Sequence, residues 1–336
     1  SSTINQIMSI EHGGLMSLGL LLAFSEKVVN RSFEYGELAA DDELHGWSKV
    51  GNAEYYIETA DALNKNNPHY AVIENDGTDL SGIANKGFLE GMAIEKEGYN
   101  LSLYAKGDAD ITVRLVADGK IAGEAVITGI TDEWTKYDFS FDSSISAHEK
   151  VFLQVLIGKG KVAVDMVSLF PADTYKGHGM RQDLGEKLEA LNPAFLRFPG
   201  GCVIEGWDKE SMYDWKASLG VDKATDLPLE FDGRYGDVAA RTYGTNLWTN
   251  LSLTEDTLPC YMSYGLGFYE YFQLAEDLGA VGVPVINCGI YCQMRGKGGV
   301  EMYEADIGWE LPEPLSSWCM PLPERSWRKC WWRAAP

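Results

Sequence analysis

Basic residues are scarce in this chain of 336 residues: 28 Lys and Arg stand against 50 Asp and Glu, a formal net charge of -22. Binding to phosphate backbones draws on clustered Lys and Arg, so this balance argues against a nucleic-acid partner. It argues equally against an anionic membrane surface. Long apolar runs are missing too. The best candidate, Gly13 to Phe24, is too short to span a bilayer, and no basic residue precedes it as in a secretory leader. It reads as a buried helix or strand of a soluble chain, with the cytoplasm favoured over a periplasmic or extracellular location. Cysteine is absent from the first half. Cys202, Cys260, Cys288, Cys292, Cys319 and Cys330 all follow residue 200, and none forms a C-x-x-C pair. That excludes a zinc knuckle and predicts mostly buried free thiols in a reducing compartment.

What is present is globular: 45% hydrophobic and 23% charged residues, in a length that suits about two domains, each with its own core. Aromatics make up 12%, with 10 Trp and 17 Tyr. An acidic, aromatic-rich chain suits a neutral ligand such as a sugar, whose C–H faces stack on rings. Asn30-Arg31-Ser32, Asn100-Leu101-Ser102 and Asn250-Leu251-Ser252 match the N-glycosylation pattern. The pattern is short enough to recur by chance, and nothing in the sequence signals secretion.

From about Asn30 to Pro171 the rhythm is that of strands. Tyr99 to Ala105, Ile111 to Val116, Tyr137 to Phe141, Val151 to Ile157 and Val162 to Phe170 are short alternating or apolar runs separated by Gly, Asp and Asn clusters. Such spacing predicts an antiparallel β-sandwich. After Pro171 the rhythm becomes helix then strand. Leu184, Leu188 and Leu191 share one helical face, and Ala194 to Phe198 follows as a strand. Phe268 to Leu278 carries Tyr271, Phe272, Ala275 and Leu278 at helical spacing, Gly279 caps it, and Val283 to Asn287 is the next strand. Helices alternating with apolar strands imply parallel βα units. Gly206 to Tyr264 reads as a polar insertion. The segment from Trp309 to the end holds half of the Trp, crowded with Cys, Arg and Pro. It reads as a displaced frame, with an aromatic binding tail as the competing reading.

Several motifs occur in order. Phe195-Leu196-Arg197-Phe198-Pro199-Gly200-Gly201-Cys202 runs a strand into a Gly-rich turn, with Glu205 and Gly206 after it. Tyr264-Gly265-Leu266-Gly267-Phe268-Tyr269-Glu270 leads through a helix to Val285-Ile286-Asn287-Cys288-Gly289, and Val29 to Tyr35 precedes the sandwich. Over about residues 26–305 this resembles the α-L-arabinofuranosidases of glycoside hydrolase family 51, in the subgroup with a jelly-roll module inserted early in the chain. The domains then read as an N-terminal segment 1–29 (a degraded first barrel unit), a carbohydrate-binding-like jelly roll 30–171, a partial (β/α)8 barrel 172–306 and the atypical tail 307–336.

The resemblance implies a retaining glycosidase that removes arabinofuranosyl groups from arabinose-containing polysaccharides or oligosaccharides. That chemistry needs two carboxyl groups about 5 Å apart; in the family the acid/base lies in a Gly-Asn-Glu motif. No Asn-Glu dipeptide occurs in the sequence. Only 165 residues follow Pro171, against about 200–250 for a complete barrel. The expectation is a few early βα units with the catalytic carboxylates unassigned. Two alternatives stay open: a non-catalytic carbohydrate-binding protein acting through the sandwich, or an endoglucanase or xylanase of the same family. An open half-barrel also predicts poor solubility or pairing as a homo-oligomer.

The same resemblance places candidate pocket residues. Arg197 ends a strand, where it orients pocket carboxylates or forms a structural ion pair. Gly200 and Gly201 let backbone approach the sugar. Cys202 stands where many relatives have Asn. Glu270 opens a helix as a pocket or solvated charge, Asn287 ends a strand as a sugar-binding amide, and Glu11 is the candidate on the first barrel strand. No cofactor is required by the chemistry. In the sandwich, Glu34 and Asp165 fall where related jelly rolls hold a structural Ca²⁺ through oxygen ligands, or else are surface carboxylates. Trp47 and Trp134 form a sugar platform or part of the core.

Overall fold

The structure is a computed structural model that describes residues 24–37, 45–87, 91–208, 211–219, 241, 244–245, 261–262, 265–287 and 291–292. The chain divides into two compact units: one contains 24–182, the other 183–336.

The first unit is two five-stranded antiparallel sheets. One has the order β1 (Trp47–Val50), β4 (Ser81–Asn85), β9 (Val151–Ile157), β6 (Ile111–Ala117), β7 (Lys120–Ile127). The other has the order β2 (Glu54–Glu58), β3 (Tyr70–Asn75), β10 (Gly160–Pro171), β5 (Gly98–Gly107), β8 (Thr135–Asp142). Alternation decides which side chains go inward. Tyr99, Leu101, Leu103 and Ala105 of β5, Ile111, Val113 and Leu115 of β6, and Val151, Leu153, Val155 and Ile157 of β9 meet in one core. Each Val, Leu or Ile side chain removed from water here contributes about 1.5–3 kcal/mol. Asp118 (φ 48) and Gly119 (φ 75) form the two-residue turn between β6 and β7, where both positions need a positive φ. Every strand run read between Asn30 and Pro171 lies within one of these strands, whereas the run read at Val283 to Asn287 is displaced: the strand there is Val281–Pro284.

Two features shape the far end of this unit. Between Asp165 and Ser168, β10 has one residue more than β5, a bulge centred on Met166 with φ 50. The chain from Phe24 lies against it: Lys27 N–H donates to Leu169 O, Val167 N–H donates to Arg31 O, and Asn85 brackets Val29 through both amide atoms. The unit therefore reaches back to Phe24, ahead of the boundary read at residue 30.

In the second unit, α1 (Gln182–Ala190) precedes β11 (Phe195–Phe198), and α2 is the short helix Cys202–Glu205. A 3-10 turn spans Ala217–Leu219, and β12 (Gly244–Thr245) pairs with β13 (Tyr261–Met262). Helix α3 (Phe268–Asp277) leads into β14 (Val281–Pro284), which pairs in parallel with β11. This is the parallel βα arrangement expected from the sequence. The end of α3 is a Schellman motif: Gly279 has φ 67, its N–H donates to Glu276 O, and Ala280 N–H donates to Ala275 O. Leu191 departs from the expected apolar stripe. Helix α1 ends at Ala190, Asn192 takes φ 47, and Leu191 stays 75% exposed.

Candidate functional site

Strands β11 and β14 define the site in the second unit. Their register sets Phe195 opposite Val281 and Arg197 opposite Val283. By alternation, Phe195 and Arg197 share one face while Leu196 and Phe198 take the other. Phe198 is fully buried against α3, with ring centroids 5.5, 5.0 and 4.9 Å from Phe268, Tyr271 and Phe272. The opposite face is exposed at Phe195, Arg197, Val281 and Val283. At its C-terminal end the chain turns through a cis Phe198-Pro199 bond, Gly200 (φ 120) and Gly201 (φ 62).

Glycine at 200 has a steric reason. A Cβ there would lie 2.7 Å from Arg197 Nη1 and 2.9 Å from its Cζ, so the guanidinium rests against bare backbone. Arg197 makes no hydrogen bond or ion pair among the described residues. The structural ion pair weighed for it is not seen there. The guanidinium lies next to Gly200, just past the C-terminal end of β11.

Two expected pocket residues have other partners. Glu270 accepts both arms of a guanidinium, Arg241 Nη1 at 2.9 Å and Nη2 at 2.7 Å, and also accepts Gly267 N–H at 2.8 Å. It is neither a solvated charge nor a free pocket carboxylate; it caps α3 from its third position and neutralises the fully buried Arg241. Asn287 donates its amide to Ile204 O at 3.0 Å and Glu205 O at 3.3 Å. The donor end expected to reach sugar hydroxyls instead ties down the carbonyls that end α2. Cys202 opens α2 beside the turn. Glu11, Cys260, Cys288, Asn250 and the tail after Trp309 lie outside the described residues. Cys292 is buried with a free thiol, as expected.

The sandwich holds a second cluster. Glu34 and Asp165 are buried, at 0% and 1% exposure, so neither is a surface carboxylate. Glu34 accepts His69 N–H at 2.9 Å, and its second oxygen meets the His69 ring. Asp165 Oδ1 accepts Met166 N–H at 2.6 Å, while Oδ2 has no hydrogen-bond partner among the described residues. Burial pushes the Asp165 carboxyl well above the usual carboxylate range; Met166 N–H and Arg31 oppose that, and the nearby Glu34 charge adds to it. Glu26, also buried, is raised by desolvation against the pull of Arg31 at 3.6 Å and bonds from Ser168 and Leu169. The unpartnered Asp165 oxygen near the Glu34 charge is the feature that a hard cation would answer. Among the described residues no group of three His, Cys, Asp or Glu is disposed to hold a metal.

The Trp platform is not there. Trp47 is in the main core at 6% exposure, with its Nε1 donating to Asn30 O at 3.0 Å. Trp134 packs edge-on to Tyr70 at 5.1 Å and donates its Nε1 to Asp61 O at 2.8 Å, and Lys106 Nζ sits 4.8 Å above its ring. Trp47 is a core residue, and Trp134 is a half-buried ring held by these contacts.

Residues 187–308 match the family described as the alpha-L-arabinofuranosidase 1 domain. The extracellular exo-alpha-L-arabinofuranosidase of Streptomyces chartreusis is 32% identical over 284 residues, 78% of this chain and 30% of that protein. Alpha-L-arabinofuranosidase 2 of Arabidopsis thaliana is 32% identical over 297 residues, covering 84% and 40%. An arabinose-bound family GH51 α-L-arabinofuranosidase superposes with a TM-score of 0.66 at 23% identity, over 88% of this chain and 44% of its own. The chain is similar to α-L-arabinofuranosidases over most of its own length and spans less than half the length of these relatives.

Proposed function

We propose that the chain works as part of a retaining α-L-arabinofuranosidase that acts on arabinose-containing plant polysaccharides or oligosaccharides. The observation that carries this reading is the Arg197-to-Gly201 turn at the end of β11, within the segment that matches the family. In it, β11, α3 and β14 are early units of a (β/α)8 barrel, and the two-sheet unit is the jelly roll. Arg197 acts as a fixed charge at the strand ends: its planar guanidinium orients the carboxylates of the pocket and contacts the sugar. Gly200 and Gly201 keep the backbone thin where the ring approaches. The two carboxyl groups required for retention are left unassigned, since the sequence has no Asn-Glu dipeptide.

The sandwich takes part as a support. A Ca²⁺ would be held by Glu34 and Asp165, and there it would supply the positive charge that lets both carboxyls stay ionised while buried. The exposed Phe195, Val281 and Val283 favour covering of that face by further protein, a second copy included. No helix among the described residues is long and apolar enough to cross a membrane. Saturation-transfer NMR with arabinoxylan-derived oligosaccharides tests the reading. Transfer with wild type that Arg197→Ala abolishes supports it; equal transfer to both variants overturns the role given to Arg197.

A further inference from the structure

The structure separates the Asn-x-Ser segments that the sequence leaves equivalent. Asn30 is 5% exposed, donates its amide to His45 O at 3.0 Å and accepts Tyr35 N–H at 3.3 Å, while Ser32 is 8% exposed. The folded sandwich has no room for an oligosaccharide there. Asn100 is different. Tyr99 and Leu101, its neighbours on β5, are in the core at 0% and 1% exposure, so Asn100 and Ser102 share the outer face and Asn100 is exposed. Its Oδ1 accepts the Ser140 hydroxyl at 2.8 Å. Its Nδ2 makes no hydrogen bond among the described residues.

The surroundings suit a large polar substituent. Asn100 pairs with Ser140 on β8, the edge strand of its sheet. Outward positions on β8 are Lys136, Asp138, Ser140 and Asp142, all exposed. A glycan on Nδ2 would project over this polar edge and displace no packed side chain. It would also cover an edge that natural sheets protect with charge or bulk.

We propose that Asn100 is an N-glycosylation acceptor of this chain, taking an oligosaccharide from a polyprenyl-pyrophosphate-linked donor in a compartment that carries the transferase. The Asn100 Nδ2 forms a bond to the anomeric carbon and loses a proton. The bond from that carbon to the pyrophosphate oxygen breaks, and the polyprenyl pyrophosphate leaves with the electron pair. β5 is hydrogen-bonded to β10 on one side and β8 on the other, so the acceptor segment is closed to a transferase once the sandwich has formed. Transfer therefore precedes folding.

The test is expression of the full chain through the secretory pathway of a yeast, followed by site-resolved mass spectrometry with and without peptide N-glycosidase. The expected result is glycan on the Asn100 peptide, converted to aspartate by the glycosidase, and none on the Asn30 peptide of folded, secreted chain. Asn100→Gln and Ser102→Ala each abolish the Asn100 glycan, the second while keeping the Asn100–Ser140 bond. Purified unglycosylated chain accepts glycan at Asn100 from a transferase preparation when unfolded and at least tenfold less when folded. Secreted, folded chain with a bare Asn100 peptide, or equal transfer to folded and unfolded chain, overturns the proposal.

Discussion

Replacing Arg241 by Met removes one tie on the second unit's helix. Arg241 is 0% exposed, and both its terminal nitrogens are committed to Glu270, whose side chain is 12% exposed. Removing one partner of such a buried pair leaves a charge without compensation, a loss of about 3–5 kcal/mol. For a unit of this size each kcal/mol lowers the melting temperature by about 2–4 °C, so Arg241→Met is expected to lower the second transition by roughly 10 °C. The double variant Arg241→Met/Glu270→Met should regain most of that loss, because the desolvation cost of both charges disappears with them. It should not regain the capping bond from Gly267 N–H, worth about 1 kcal/mol. Differential scanning calorimetry of Arg241→Met, Glu270→Met and the double variant gives the coupling energy, and hydrogen exchange of the α3 amides locates it. A single variant that melts with wild type, or a double variant that is the sum of its singles, refutes the reasoning.

Other outcomes follow from the same structure. Asp165 and Glu26 have folded-state carboxyls raised above their unfolded values by burial. In EDTA, the stability they contribute is therefore present below the unfolded carboxylate range and lost as pH rises through the raised values. The sandwich should melt at higher temperature at mildly acidic than at neutral pH. Added Ca²⁺ should reverse that order, and Asp165→Asn should remove the Ca²⁺ effect; a melting curve indifferent to Ca²⁺ at neutral pH counts against the cation. Trp134→Ala should cost about 2 kcal/mol by denaturant unfolding, below the loss for a fully buried Trp, and leave binding to arabinoxylan on an affinity gel unchanged. Retarded migration lost in that variant would restore Trp134 as a sugar contact. Gly279→Ala should cost about 1–2 kcal/mol in a urea titration, since φ 67 is strained for a residue with a Cβ although no atom lies within 4 Å to clash with it. No measurable loss would mean that α3 ends without the left-handed residue.

How far the sequence could be read depends on where each element's information lies. β5, β6, β8, β9 and β10 were legible because their own alternation encodes which face is buried. β4 was not: Ser81-Gly82-Ile83-Ala84-Asn85 resembles a turn, yet all five residues are buried. A Cβ at Gly82 would lie 2.1 Å from Val155 O, so glycine stands there because a neighbouring strand passes close. β7 was hidden for the opposite reason, since Ile121 and Val126 are apolar but about half exposed. In the second unit the Arg-Phe-Pro-Gly-Gly turn announced itself, because its constraints are local. The partners of Glu270 and Asn287 did not, because Arg241, Ile204 and Glu205 are tens of residues away in sequence. The Gly267-x-x-Glu270 spacing was the one signal that marked Glu270 as a cap. Glu34 and Asp165 could be paired by resemblance, but a string of residues does not show that both lose water.

The most direct measurement is release of p-nitrophenol from p-nitrophenyl α-L-arabinofuranoside by a protein in which this chain carries either its own Arg197 or Arg197→Ala, completed to the length of its relatives. The proposed function predicts turnover with retention of anomeric configuration, and a loss of at least a hundredfold in kcat/KM on Arg197→Ala while melting temperature is unchanged. Turnover that survives the substitution, or cleavage of carboxymethyl cellulose without arabinose release, would contradict it.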